Sequence, residues 1–431
     1  MNCTLSYSRD IAFLKSEKLI NSFVERYNER SEDDKQIEAA VITALIDIHL
    51  KPTPDFAYPR LAQINKMGSK SSRRIFIFPE AEKLLLKYIN YAIGELNLEI
   101  DPHCYSFQRG QGIVNAIRGL QRKDLSSLAC IKVDISDYFN SIPTSNIDSW
   151  LPKSLKSHPY LAETIKYLIL RKEVYVEGLL KPYSGRGVMA GMPLAPTLSN
   201  LYLKHFDREM ASTYPAYARY SDDMVLFCKE DMANKAYEHI TDALAERGLK
   251  INETKTKIYK PGEGFEFLGL YIRDSHIDLS KATIMKIKGK IKRQARSLYR
   301  WQKKKNVPLE KTVMVMNRKF NRKFYGLGAK DTDFTWSRYF FHLLTVDRGL
   351  REVDRYYQET VRYLASGRYS KSNYRLITYE MLKETGYIPL VSAYYRRLDS
   401  LNPGTGATRL NGPLDLRNQD KSKTLQVGVK I

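Results

Sequence analysis

Apolar and charged residues alternate at helical spacing over the first fifty positions, as in Ile37-Glu38-Ala39-Ala40-Val41-Ile42 and Leu45-Ile46, until Pro52, Pro54 and Pro59 break the pattern. The spacing predicts a helical N-terminal segment. From Arg73 to about Leu120 it predicts a strand, a helix around Glu80–Glu95 and an irregular segment at Phe107. Ala129-Cys130-Ile131-Lys132-Val133 reads as a strand ending in Asp134, and Tyr160–Leu170 as a helix. Ala216-Tyr217-Ala218-Arg219 and Met224-Val225-Leu226-Phe227-Cys228 read as the arms of a β-hairpin whose tip is Tyr220-Ser221-Asp222-Asp223. Farther on, Ile284, Ile287, Ile291, Ala295 and Leu298 recur at helical spacing, and the tyrosine-rich stretch Tyr339–Tyr395 also reads as helical. From Pro403 onward Gly404, Gly406, Gly412 and Pro413 leave little periodicity, which predicts a loose tail or a strand-forming arm near Leu425-Gln426-Val427. No internal repeat is found.

Composition narrows this α+β pattern. A chain of 431 residues, 43% apolar, has room for two to three structural units. Its net charge of +22 calls for a polyanionic partner, and nucleic acid is the foremost. The charge is concentrated: Lys281 to Lys330 holds seventeen lysines and arginines against one acid, Glu310. Those cations, among them Lys292, Arg293, Arg296, Arg300 and the run Lys303-Lys304-Lys305, lie on an amphipathic helix interleaved with Tyr299 and Trp301. A membrane-surface helix has a similar pattern, but no long apolar segment or lipidation signal accompanies this one. Cys3, Cys104, Cys130 and Cys228 are far apart and no signal peptide precedes them, so they read as reduced thiols of a cytoplasmic protein. Neither cysteines nor histidines offer a zinc site.

The candidate chemistry lies in the acids. Asp222 and Asp223 are forced side by side at a turn, and like charges so placed imply a bound cation unless the turn is merely solvated. Asp134, delivered by a strand end, converges with them if the two strands are neighbours. Three such carboxylates would hold two divalent ions about 3.5–4 Å apart, the spacing used for in-line displacement at phosphorus.

Read in order, the motifs resemble a bacterial reverse transcriptase of the group II intron and retron type over about residues 70 to 275. Arg73-Arg74 before Ile75-Phe76-Ile77-Phe78-Pro79 resembles the fingers strand whose arginine meets the triphosphate, with Arg74 the better match. Tyr105-Ser106-Phe107-Gln108-Arg109-Gly110 is similar to the segment that supports template and fingers, Asp134 and Phe139 to the first catalytic motif, and Tyr220–Asp223 to the second. Gly191–Asn200 resembles the loop and helix behind the nucleotide, Gly248-Leu249-Lys250-Ile251 leading to Lys255 the motif that places a lysine near the pyrophosphate, and Phe265-Glu266-Phe267-Leu268-Gly269 the primer-gripping hairpin. Two departures stand out. Met189-Ala190-Gly191-Met192-Pro193 lacks the glutamine and serine usual in that loop, and Ser221 replaces the commoner alanine.

The resemblance implies an α+β right-hand polymerase: a helical extension (1–60), fingers (61–127), a ferredoxin-like palm sheet (128–275, with a fingers insertion at about 150–190), a basic helical thumb with C-terminal helices (276–400) and a tail (401–431). It implies RNA-templated DNA synthesis with Asp134, Asp222 and Asp223 as catalytic residues. Together with Ile135 these form the metal site for two Mg²⁺ ions, for which Mn²⁺ can substitute. Arg74, Phe139, Gly191 and Lys255 are the expected nucleotide contacts. Phe139 lies beneath the sugar, where it excludes a ribose 2′-hydroxyl. Arg109, Tyr220 and the basic-helix cations are the expected nucleic-acid contacts, and Asp137 is expected to be a first-turn helix carboxylate rather than a ligand. An RNA template, a DNA or RNA primer and dNTPs are the implied partners, with no membrane. With no endonuclease segment before Ile431, the chain looks like a stand-alone, defence-associated enzyme served by a dedicated noncoding RNA. An RNA-dependent RNA polymerase with the same palm, or a non-catalytic maturase-like RNA-binding protein, stays open beside it.

Overall fold

The fold is known from a computed structural model, which describes residues 2–29, 31, 35–65, 72–183, 186–326 and 336–401. The segment near Leu425 lies outside the described residues. The chain divides into two compact units, Met1–Glu263 and Gly264–Ile431.

The first unit begins with helices α1 (Asn2–Leu14), α2 (Glu17–Asn28) and α3 (Ala39–His49). Their apolar stripe of Leu19, Ile20, Phe23, Ile42, Leu45 and Ile46 is buried, as the helical period requires. After the prolines come β1 (Arg60–Asn65), β2 (Ser72–Ile77), α4 (Glu80–Ile93), α5 (Ile113–Gln121), β3 (Ala129–Asp134) and α6 (Tyr138–Ser141). The short α7 (Ile147–Trp150) and α8 (Lys153–Lys156) lead to α9 (Pro159–Ile169) and the hairpin β4 (Glu173–Val176) and β5 (Leu179–Pro182). Then follow α10 (Ala195–Tyr202), α11 (Lys204–Thr213), β6 (Ala216–Tyr220), β7 (Asp223–Cys228), α12 (Ala233–Glu246) and β8 (Lys257–Tyr259).

Two four-stranded sheets result, in the orders β2-β1-β4-β5 and β6-β7-β3-β8. The second is antiparallel throughout, with α5 and α11 against β6 and α12 against β3. Its central strands β3 and β7 are apolar on both faces because both faces are covered, which is why their sequences read as near-continuous apolar runs. The first sheet is harder to see in the sequence. β1 has no clear alternation, and β5 is exposed along its length, so packing leaves no pattern on it.

In the second unit β9 (Phe265–Phe267), β10 (Leu270–Arg273) and β11 (His276–Leu279) form a three-stranded antiparallel sheet. Helix α13 (Lys281–Lys305) starts at Ser280, whose Oγ accepts from the Thr283 amide at 3.1 Å, and ends at Asn306 in the left-handed region. Its row of Ile284, Ile287, Ile291, Ala295 and Leu298 is buried as the spacing predicts. Helices α14 (Leu309–Tyr325), α15 (Trp336–Phe340), α16 (Arg348–Arg362), α17 (Asn373–Leu376), α18 (Tyr379–Glu384) and α19 (Leu390–Leu401) complete the unit. Tyr357 and Tyr387 become core: the Tyr357 ring lies 4.0 Å from Phe320 and 4.9 Å from Tyr387, centroid to centroid. Their hydroxyls are satisfied inside, Tyr357 donating to Asn317 and Tyr387 to the buried Asp354.

Beneath the β6–β7 turn is a buried polar network that the sequence pattern does not reveal. The side chains of Arg219 on β6 and Asp207 on α11 are both fully buried. Arg219 donates from Nε and Nη2 to the two Asp207 oxygens at 2.6 Å each, and the Tyr217 hydroxyl adds a third bond at 2.7 Å. Its Nη1 reaches the Ser221 carbonyl at 3.1 Å and Asn200 Oδ1 at 3.3 Å. Ser106 Oγ accepts from the Ser221 amide at 2.9 Å. Removing one buried charge leaves the other without solvent or counterion. Asp207→Ala should therefore cost about 3–5 kcal/mol of unfolding free energy by denaturant titration, whereas replacing Asp207 with Leu and Arg219 with Met together should recover most of it. Equal destabilisation by the single and double variants would contradict this account.

Candidate active site

Strand register builds the acidic site. Tyr220 pairs with Asp223 across the β6–β7 hairpin, leaving Ser221 and Asp222 as its two-residue loop. Ser221 has φ +62°, a left-handed conformation unusual for a residue with a β-carbon, and its amide and carbonyl are held by Ser106 and Arg219. On the other side of β7, Asp223 stands opposite Asp134 of β3, and the Ile135 amide donates to the Asp222 carbonyl at 2.9 Å. Asp134, Asp222 and Asp223 thus gather at one end of the sheet. Ile135 has a buried apolar side chain, so only its backbone is available to the site.

The environment resists charging Asp222 and Asp223. Burial, then the Asp134 charge, raises the Asp222 carboxyl above its ordinary range. Burial pushes Asp223 up to about 6, aided by Asp134 and Asp222 and opposed by Lys132. Two lysines offset the negative charge. Lys255 Nζ lies 2.8 Å from both oxygens of Asp134, and Lys132 Nζ lies 3.6 Å from Asp223 Oδ1, which is buried and has no hydrogen-bond partner. Among the described residues no group of three His, Cys, Asp or Glu is spaced to hold a metal ion as the side chains stand. The donor set nonetheless suits a hard divalent cation: all oxygen, mutually repelling, with one oxygen unbonded and an ammonium seated where positive charge is needed.

The expected nucleotide residues are distributed around the same unit. Arg74 on β2 makes a half-exposed ion pair with Asp137 at 3.4 Å, whereas the charge of Arg73, its less favoured neighbour, is felt by Asp222. Asp137 is at the N-cap position of α6 rather than in its first turn, with φ +45° and its Oδ1 accepting from Asn140 at 2.9 Å. Phe139 is half-buried. Its ring is 6.4 Å from Phe107, which is in turn 6.3 Å from Tyr220, so the 49% exposed Phe107 bridges the two motifs.

Gly191 has φ +105°, and a β-carbon there would meet the Phe76 carbonyl at 2.6 Å, because the Ala190 carbonyl already accepts from the Phe76 amide at 2.7 Å. The loop is thereby stitched to β2 through its backbone. Met189 and Met192, in the loop that lacks the usual polar side chains, are buried. Arg109 is ion-paired to Glu95 and stacked 4.3 Å over the Tyr91 ring, so its charge is already engaged within the unit. Sequence reasoning missed Arg219, Asp207 and Lys132. An arginine inside an otherwise apolar strand beside an acidic turn is the signal that could have pointed to the first.

In the second unit Arg293, Arg296, Arg300, Lys303, Lys304 and Lys305 are exposed on α13 and Lys292 is half-buried. Between α13 and α14 the Lys323 amine is pushed down to about 8, by burial first and then by Lys290 and Arg293. Cations crowded this way favour an anion between them.

Comparison with known proteins adds to this geometry. Residues 64–272 match the family described as reverse transcriptase (RNA-dependent DNA polymerase). No curated protein matches the chain. Among solved structures it is similar to apo telomerase from Candida tropicalis truncated from its C-terminal domain, at 16% identity over 53% of this chain and 56% of that one, with a TM-score of 0.39. It is also similar to telomerase from Candida albicans in complex with a TWJ fragment of telomeric RNA, at 13% identity over 91% of this chain and 71% of that one, with a TM-score of 0.43. The chain thus spans little more than half the length of the first of these. Residues 64–272, with three aspartates brought together at the end of an antiparallel sheet, are a reverse transcriptase domain of mixed helix and sheet.

Proposed function

We propose that this protein is an RNA-directed DNA polymerase that copies an RNA template into cDNA. The observation that carries the reading is the gathering of Asp134, Asp222 and Asp223 by the β3–β7 register, inside the matched domain. Asp134, Asp222 and Asp223 would hold two Mg²⁺ ions, which when bound activate the primer 3′-hydroxyl and neutralise the triphosphate and departing pyrophosphate. Lys255, freed from Asp134, is the residue to receive charge on the pyrophosphate, and Arg73 and Arg74 on β2 present cations to the incoming triphosphate. Phe139 closes the floor under the sugar, and Gly191 lets the loop backbone approach. The motif resemblance further supports a bacterial, cytoplasmic enzyme of the group II intron and retron type, working in antiphage defence with a dedicated noncoding RNA, a DNA or RNA primer and dNTPs. The basic helix of the second unit supplies the grip on the template–primer backbone.

Asp222→Asn or Asp134→Asn should abolish nucleotide incorporation on a primed RNA template while leaving RNA affinity within about twofold, because the isosteric amide removes charge and not shape. Normal extension by either purified variant would refute the assignment. Sequencing the nucleic acid that copurifies with the protein tests the noncoding RNA, and a random population would count against it.

Protons compete with a divalent ion for Asp223. Manganese affinity, measured by titration calorimetry, should fall about tenfold between pH 7 and pH 5, across the carboxyl's value of about 6. In chelator the sign reverses for stability. The folded state holds the proton more tightly than the unfolded chain, so stability contributed by this group declines as pH rises from 3.8 through about 6. A metal affinity independent of pH would contradict the placement of Asp223.

Phe139→Ala should open space for a 2′-hydroxyl and raise the ratio of ribonucleotide to deoxynucleotide use in single-nucleotide kinetics, even where total rate drops. An unchanged ratio would make Phe139 packing only, and a wild-type enzyme that prefers ribonucleotides would point to an RNA polymerase.

A further inference from the structure

The second unit carries a feature that a duplex grip does not use. Between Glu359 and Glu380 the chain has no carboxylate, and Arg368, Tyr369, Lys371, Tyr374, Arg375 and Leu376 are all exposed. Tyr369 and Tyr374 stand 57% and 49% open to solvent, whereas tyrosines nearby, such as Tyr357 and Tyr387, are core. The segment is held in shape. Asn373, itself buried, donates to the Arg368 carbonyl at 2.8 Å, and the Ser366 hydroxyl accepts from the Arg368 amide at 3.3 Å. Arg362, buried beneath, donates to the Ile377 carbonyl at 3.1 Å and lies 4.1 Å under the Tyr374 ring.

The segment also joins the basic helix. Tyr299 of α13 donates to the Ser366 carbonyl at 3.1 Å, and a β-carbon on Gly367, at φ +73°, would run into the Tyr299 ring. A ladder runs outward from there: Lys303 lies 5.6 Å over Tyr299, Tyr299 lies 5.4 Å from Tyr363, and Tyr363 lies 5.4 Å from Tyr369.

A duplex turns its phosphates outward and keeps its bases stacked on one another, so it offers cations a backbone but leaves no unpaired base for an aromatic face. Two open tyrosine faces among three exposed cations instead match a strand whose bases are unpaired, with stacking for the bases and charge for the backbone. A protein partner would also value Tyr and Arg, but an uninterrupted lack of acids continuous with a strongly basic helix favours a polyanion.

We propose that residues 366–376 form a docking platform for single-stranded nucleic acid, a second contact separate from the duplex grip of α13. The proposal rests on the reading that this protein handles nucleic acid, and its test is separable from that reading. Fluorescence anisotropy of the full-length protein would use two probes, a twelve-nucleotide oligouridine and a blunt RNA–DNA duplex, with primed-template extension assayed on the same preparations. Tyr369→Ala should weaken oligouridine binding about fivefold or more, with duplex affinity and extension of a fully paired primer–template within about twofold of wild type. Tyr369→Phe, which keeps the ring, should bind as wild type. Changing Arg368, Lys371 and Arg375 together to Gln should flatten the slope of log affinity against log salt for oligouridine by about 2. Unaltered oligouridine binding in Tyr369→Ala, equal losses on both probes, or a loss in Tyr369→Phe as large as in Tyr369→Ala would each overturn the platform. A wild-type protein that binds oligouridine but extends no primer would refute the polymerase reading and leave the platform standing.

Discussion

The acidic turn depends on one buried ion pair. Asp207 and Arg219 have no water around them, so their attraction is unscreened and each is costly to leave alone. The pair tolerates burial because its hydrogen bonds are nearly all made: two carboxylate oxygens against two guanidinium nitrogens, with Tyr217 on the acid and Asn200 and Ser221 on the arginine. That last contact carries the constraint outward. Ser221 adopts a backbone conformation that a serine does not choose freely, and its carbonyl and amide are bound from below by Arg219 and Ser106. The acids are positioned from the interior, not by the solvent-facing side of the turn.

Above that support the site is a balance of like charges. Burial, and then the neighbouring carboxylates, raises the affinity of Asp222 and Asp223 for protons. Lys255 and Lys132 offset part of that negative charge. On the proposed reading, the ammonium that neutralises Asp134 would have to leave for a metal to be held there. The backbone stitch between Ala190 and Phe76 ties the glycine loop to the arginine-bearing strand, placing Arg73 and Arg74 in a frame shared with the acids.

The cations of the second unit occupy two different settings. Along α13 the charges face solvent over a buried isoleucine row, a form suited to a backbone of repeating phosphates. The segment after α16 sets its cations among open aromatic rings and is braced by Asn373, Tyr299 and Arg362. Rigid aromatic surface loses little entropy when a base stacks on it, which distinguishes it from a merely solvated basic loop.

Much of this was legible in one dimension wherever a local period or a short turn decides the structure. The hairpin around Tyr220–Asp223, the strand ending in Asp134, the helix of α9 and the isoleucine row of α13 follow from spacing alone, because burial of one face imposes the period on the residues themselves. Ordered motifs likewise marked the polymerase domain. Strands β1 and β5 left no such trace, since one lacks alternation and the other is exposed. The partners of charged residues were equally hidden: that Arg219 meets Asp207, that Lys255 seats on Asp134, and that Arg109 is engaged by Glu95 and Tyr91 are facts of proximity between distant segments. Residue type states which charges exist, but which charge is solvated, paired or left facing its like depends on what the folded chain brings beside it and how far it excludes water.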